Sequence, residues 1–141
     1  LADHPNISAI KEANGNIAKI METFRLVGDR LDIYSGNDDQ IVPILAMGGK
    51  GVISVLANIM PGTAAEICRR FFRGDIQGSA ALQLELLPLI HALFSQTNPI
   101  PVKAALARMG VCEDVLRLPL TPMEEPYRSR LYREMEKVHL I

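Results

Sequence analysis

The apolar and polar positions repeat one grammar three times over the first half of the chain. A short apolar stretch rich in β-branched residues ends in a polar or glycine-rich turn, and a segment of helical periodicity follows. The first unit predicts a strand at Ile7-Ser8-Ala9-Ile10-Lys11 and a turn at Glu12-Ala13-Asn14-Gly15-Asn16. Ile17, Ile20, Met21, Phe24 and Val27 then form one helical stripe, ended by Gly28. The second unit predicts a strand at Leu31-Asp32-Ile33-Tyr34, a turn at Ser35-Gly36-Asn37-Asp38, and a helix over residues 38–47. Pro43 falls inside that helix, where a proline past the first turn costs about 3 kcal/mol unless the helix kinks. The third unit predicts a strand at Val52-Ile53-Ser54-Val55, a turn at Leu56-Ala57-Asn58, and a helix from Pro61 to Gly74.

Strands alternating with helices at this spacing imply parallel strands joined by crossover connections. After Gly74 the strand signals stop. Asp75 can cap a helix that carries Leu82, Leu86, Leu89, Ile90 and Leu93, with a kink at Pro88. Asn98-Pro99-Ile100-Pro101 predicts a stiff extended connector, because each proline holds the residue before it out of the α region. A short helix over residues 102–109 closes at Gly110, and Arg117-Leu118-Pro119-Leu120 predicts a second extended link. Thr121-Pro122-Met123-Glu124 has the form of a capping box with proline at the first helical position, opening a last helix that reaches His139. The charged residues of that helix, Arg128, Arg130, Arg133, Glu134, Glu136 and Lys137, are expected on a solvated face.

The pattern therefore predicts an α/β fold, with residues 1–74 as the strand-bearing part and residues 75–141 as a helical extension. Three parallel strands with their helices do not close a core. They are either one edge of a doubly wound sheet or the last three units of a (β/α)8 barrel, which as a whole takes about 250 residues. The spacing leaves both open, and either way the chain is expected to be a piece of a larger fold. Its first residue is Leu1, and no signal-peptide pattern precedes the first strand, so it reads as a processed chain or a segment of a longer one.

Composition narrows the function classes. Of 141 residues, 48% are apolar and 22% charged, which is ordinary for a globular chain. Fifteen basic residues against 16 acidic ones leave a net charge of -1, so there is no electrostatic footprint for nucleic acid or an anionic membrane. Residues 41–61 are long and apolar enough to suggest a membrane span, but Gly48-Gly49-Lys50-Gly51 would break the helix and strand a charge in its middle. Helix, turn, strand is the reading preferred there. Cys68 and Cys112 lie outside any CxxC spacing, which argues against zinc or a disulfide scaffold and fits a reducing, cytoplasmic compartment. His4, His91 and His139 do not fall at metal-ligand spacing, and Cys68 lies on an apolar helix face as a core residue. Lys50 between glycines lacks the rest of a phosphate-binding loop.

In parallel α/β folds ligands meet the C-terminal ends of the strands. Lys11 ends the first strand. A lysine there can attack a carbonyl and form a Schiff base, provided that desolvation or a nearby cation keeps the amine neutral. The alternative is an ordinary strand-end lysine whose ammonium reaches water or pairs with Glu12. Gly36 lets the backbone approach a small anionic ligand, or is simply a turn glycine. Asn37 and Asp38 read first as helix caps.

Five motifs in register carry a family resemblance. They are Ile10-Lys11-Glu12-Ala13-Asn14-Gly15-Asn16, Tyr34-Ser35-Gly36-Asn37-Asp38 and Gly49-Lys50-Gly51-Val52-Ile53-Ser54-Val55, then Asn98-Pro99-Ile100-Pro101-Val102-Lys103-Ala104-Ala105 and Leu116-Arg117-Leu118-Pro119-Leu120-Thr121-Pro122. Over nearly its whole length the chain resembles the dihydrodipicolinate synthases, in their second half. The resemblance implies the last three βα units of a (β/α)8 TIM barrel followed by a C-terminal helical extension. It implies condensation of pyruvate with aspartate 4-semialdehyde, on the route to diaminopimelate and lysine. No cofactor is implied, because the reaction runs through a covalent imine between pyruvate and Lys11. By the same resemblance Ile53 presents a backbone carbonyl near that lysine, and Gly36 a backbone contact in the second-substrate region. Asn37 stands where the family commonly has aspartate; an amide keeps the shape and hydrogen bonding but cannot act as a base.

The resemblance also implies partners. The first half of the barrel carries the remaining catalytic groups, and family members are commonly tetramers built as dimers of dimers. Ile17 and Met47 are candidates for a subunit contact, although core packing is the expectation for both. Related lyases for sialic acid and keto-deoxy sugars share the imine lysine and are the same-chemistry alternative. An inactive fragment or subunit that only assembles with another chain is the non-catalytic one. The 141 residues alone are expected to be inactive and poorly folded, since half a barrel leaves open sheet edges.

Overall fold

A computed structural model describes all residues, 1–141. Three parallel strands lie in sequence order: β1 (Ala9–Glu12), β2 (Asp32–Ser35) and β3 (Gly51–Val52). Helix α1 (Ile17–Val27) joins the first pair. A 3-10 turn at Asp38–Gln40 and helix α2 (Ile41–Ala46) join the second pair. A second 3-10 turn, Leu56–Asn58, leads into α3 (Pro61–Phe72), and α4 (Ile76–Leu93), α5 (Ile100–Arg108) and α6 (Tyr127–Lys137) complete the chain. The register places Lys11 beside Tyr34 and Tyr34 beside Gly51, and in the next row Glu12 beside Ser35 and Ser35 beside Val52.

Local chemistry explains most element ends. The Asn16 side chain accepts the N–H groups of Ala18 and Lys19 and caps α1. Pro61 opens α3 where its missing N–H is not needed, and Asp75 caps α4 by accepting from Gly78 N–H. Helix α4 runs through Pro88 to Leu93.

Several elements differ from the sequence expectation, each for a definable reason. The third strand stops at Val52 instead of reaching Val55, because after Ile53 the chain turns into the 3-10 segment. Pro43 does not interrupt a ten-residue helix. The 3-10 turn comes first, and Pro43 falls in the first turn of the short α2, where no N–H bond is lost. Residues 98–101 are not an extended connector: Ile100 and Pro101 are the first turn of α5, which tolerates proline for the same reason. Arg117 to Leu120 form a turn, closed by Leu120 N–H on Arg117 O at 3.1 Å, and not an extended link. The capping-box pattern at Thr121 opens no helix. Glu124 N–H is taken by Gln96 Oε1 at 3.0 Å, and α6 starts only at Tyr127. Within α6, Arg128 and Glu134 are half-buried and not fully solvated.

The core explains what is well held. One cluster of 19 buried residues runs from Ile41 to Met135, drawing on α2 to α6 and the second 3-10 turn. Cys68 is half-buried against it. Helix α1 sits outside this cluster and buries only Ile20 fully; Ile17 and Met21 are 40% and 56% exposed. The expected apolar stripe is therefore present but half covered, because α1 lies outside the cluster formed by α2 to α6. Ile17 is not a core residue, and Met47 is half-buried. No helix is long and apolar enough to cross a membrane.

Candidate active site

The two faces of the sheet are built differently. Alternate residues of a strand point to opposite faces. Glu12, Ile33 and Ser35 are buried on one face. There Glu12 reaches α1: its Oε2 accepts from Thr23 Oγ at 3.1 Å, and its Oε1 accepts from Asn14 N–H and Nδ2 at 3.0 and 2.9 Å. Each such bond to a carboxylate is worth about 1.5–3 kcal/mol. Glu12 thus ties the turn after β1 to the helix that follows, and it is turned away from Lys11. The expected alternative, a Lys11–Glu12 ion pair, does not form, and Lys11 has no salt-bridge partner.

Lys11 stands on the other face, exposed, beside Tyr34. Its side chain lies along Gly36. A Cβ on residue 36 would meet Lys11 Cε at 2.9 Å, Lys11 Cγ at 3.0 Å and Ala13 Cβ at 2.5 Å. Gly36 is therefore glycine because the lysine stem and the Ala13 methyl fill the space a side chain would take. Its own N–H donates to Glu12 O at 2.7 Å and extends the ladder one residue past β2.

The next residues lock the strand exits. Ser35 Oγ donates to Asn37 O at 2.7 Å. Asn37 is half-buried, and its side chain makes no cap bond. Asp38 is fully buried, and its Oδ2 accepts from both Val55 and Leu56 N–H at 2.9 Å. The expectation that Asn37 and Asp38 cap their own helix fails: Asp38 instead accepts the N–H groups of the turn after β3. Its Oδ1 has no partner in the chain. Ile53, half exposed, donates its N–H to Ser35 O at 2.8 Å. Lys11, Gly36, Asn37 and Ile53 therefore gather at the C-terminal ends of three adjacent strands. Sequence reasoning missed Tyr34 as the lateral neighbour of Lys11, and Glu12 and Asp38 as buried anchors.

A buried amide braces this region from the helical side. Gln83 on α4 accepts from Val42 N–H at 2.8 Å and donates to Asp39 O at 2.9 Å. Gln40 Nε2 donates to Gly15 O at 2.8 Å, joining the turns after β1 and β2. The one cavity in the chain, about 330 Å3, lies at the opposite ends of the strands, between Ser8, Arg30, Asp32 and Lys50. Lys50 is thus remote from the strand ends that carry Lys11. No group of three His, Cys, Asp or Glu side chains stands at metal-binding distance.

Lys11 thus stands exposed near the C-terminal ends of three parallel strands, where ligands of such folds bind. The sequence profile of the Dihydrodipicolinate synthetase family matches residues 1–138. The chain belongs to this family. The 4-hydroxy-tetrahydrodipicolinate synthase of Alkaliphilus oremlandii is 50% identical over 136 residues, which is 96% of this chain and 47% of that protein. The crystal structure of dihydrodipicolinate synthase from Thermotoga maritima matches with a TM-score of 0.95 at 42% identity, over 99% of this chain and 48% of that one. The chloride-inhibited dihydrodipicolinate synthase from Acinetobacter baumannii, solved in complex with pyruvate, matches with a TM-score of 0.92 at 36% identity, over the whole of this chain and 48% of that one. This dihydrodipicolinate synthetase family chain thus spans about half the length of the curated relatives it matches. Its α/β arrangement, a small parallel sheet with helices, is that of the family.

Proposed function

We propose that this chain is the imine-forming half of a class I aldolase that condenses pyruvate with L-aspartate 4-semialdehyde to 4-hydroxy-tetrahydrodipicolinate, in lysine and diaminopimelate biosynthesis. The observation that carries the reading is Lys11 laid along Gly36 at the strand ends, in a chain of this family. The neutral Lys11 amine adds to the pyruvate ketone, and loss of water leaves the imine. Loss of a methyl proton gives the enamine, whose carbon attacks the semialdehyde. The product cyclises through its own amine, and the C–N bond to Lys11 breaks. The covalent imine takes the place of a cofactor. In this reading Gly36 and Asn37 meet the second substrate through the backbone and an amide, and the Ile53 backbone lies beside the imine.

The same reading makes residues 1–74 the last three βα units of a (β/α)8 barrel and residues 75–141 its helical extension. The partner is then the complementary barrel half, in a cytoplasmic homotetramer built as a dimer of dimers. The open edges of β1 and β3 and the exposed Lys11 support the completing barrel half. By themselves the 141 residues are proposed to be inactive. An isolated chain that is monomeric, cooperatively folded and active overturns that part of the proposal.

The test is intact mass with and without pyruvate and borohydride, followed by peptide mapping. A reduced pyruvate adduct on Lys11 in the assembled protein is expected, and Lys11→Arg abolishes it. An adduct on another residue, or none in the complete assembly, defeats the reading. A substrate panel then separates the semialdehyde reaction from cleavage of sialic or keto-deoxy sugar acids. The names of the matched relatives favour the semialdehyde.

A further inference from the structure

We infer that Asp38 is a positioning residue for Lys11: its buried carboxylate clamps the exit of β2 to the exit of β3 and so holds Gly36 against the lysine stem. The inference rests on the imine role proposed for Lys11. The ladder between β2 and β3 ends where Ile53 N–H meets Ser35 O. Past that point the two chains separate, one into residues 36–40 and the other into residues 53–58. One oxygen of Asp38 spans the gap by accepting both Val55 and Leu56 N–H groups at 2.9 Å. All three residues are buried, and Val55 and Leu56 belong to the main core cluster. Val55 and Leu56 thus anchor the β3 side of the clamp in the core, and cutting the clamp releases the segment from Gly36 to Asp38 from that anchor.

That segment touches the lysine. Gly36 fits against Lys11 so closely that a Cβ there would stand 2.9 Å from Cε. A shift of its backbone changes the wall along which the amine is extended. Asn37, the neighbour on the same turn, makes no equivalent bond. Tyr34, the register neighbour of Lys11, and Ala13, whose methyl also faces Gly36, are not tied to β3 through a side chain. Asp38 links the lysine's wall to the exit of β3, and Gln83 braces the residues just beyond it through Asp39 and Val42.

The experiment compares wild-type assembled enzyme with Asp38→Ala and Asp38→Asn, each held well below its own melting temperature. The rate of borohydride-trapped pyruvate adduct on Lys11 is read across pH. Misplacing a reacting group by about 1 Å costs on the order of 100-fold, so Asp38→Ala is expected to slow trapping by about that factor. Asp38→Asn keeps one oxygen facing both N–H groups and is expected within about tenfold of wild type, yet slower, with an unshifted pH profile. A folded alanine variant that traps pyruvate at the wild-type rate overturns the inference. If the alanine variant does not fold, the asparagine variant decides. A several-fold slower rate with the same pH profile supports positioning; a wild-type rate, or a shifted profile, overturns it. Wild-type enzyme that forms no Lys11 adduct defeats the imine reading itself, which is a different result from any of these.

Discussion

Lys11 and Gly36 are complementary across two strands: the lysine stem occupies the place where residue 36 would carry a side chain. A Cβ there would stand 2.5 Å from Ala13 Cβ and 2.9 Å from Lys11 Cε. The first neighbour is a short side chain fixed by its backbone, and the second must swing aside. Gly36→Ala is therefore expected to cost about 1–3 kcal/mol of stability, as small-to-large changes at packed sites do. It is also expected to displace Lys11, so that pyruvate trapping falls more than the loss of folded protein explains. Denaturant titration and trapping rates on the same samples check both.

Gln83 joins the helical part of the chain to the turn that follows β2. Gln83→Leu leaves Val42 N–H and Asp39 O without their partner in a largely buried setting. The expected loss is about 1–3 kcal/mol. Chemical denaturation of the assembled protein reads it, and amide exchange should quicken first over residues 37–42.

Glu66 gives a stability that depends on pH in a known direction. Hydrogen bonds from Arg69, and then from Arg70, hold its carboxyl below the usual carboxylate range. A carboxyl lowered in the folded state adds stability above its unfolded pKa, and that stability is lost as pH falls through the lowered folded value. Wild type and Glu66→Gln are expected to differ in Tm near neutral pH and to converge in acid. The side chains are partly exposed, so added salt shrinks the difference. Thermal melts of both proteins from roughly pH 2 to 7, at two salt concentrations, test the sign.

The two cysteines are expected to separate cleanly in labelling. Burial pushes the Cys68 thiol up and shields it, whereas Cys112 is exposed. Iodoacetamide at mildly alkaline pH should modify Cys112 first and Cys68 only as the protein unfolds. Peptide mapping against time checks the order; equal rates in the native protein would show that the helix carrying Cys68 opens readily.

Short-range signals were legible in the chain by itself. Hydrophobic period and turn residues located α1, α3 and α4, and the alternation of strand and helix established a parallel sheet. Lys11 stood out because a strand of apolar and small residues ends on it. These features depend on residues within one or two turns of each other, where propensity and period act. Proline-rich stretches misled for the same local reason. The sequence marks where a proline cannot continue a helix, but first-turn positions such as Pro101 are open to it.

Tertiary structure decided the rest, because the partners come from distant elements. Gly36 read as a turn glycine until β1 brought Lys11 and Ala13 against it. Asp38 carries a capping side chain, yet the N–H groups it caps lie 17 and 18 residues further on, within reach only once β2 and β3 pair. Glu12 read as a turn residue or a mate for Lys11, and strand alternation sent it to the other face, where Thr23 receives it. Composition and period state which residues want burial or a hydrogen bond; which atom satisfies them depends on the packing of non-adjacent segments.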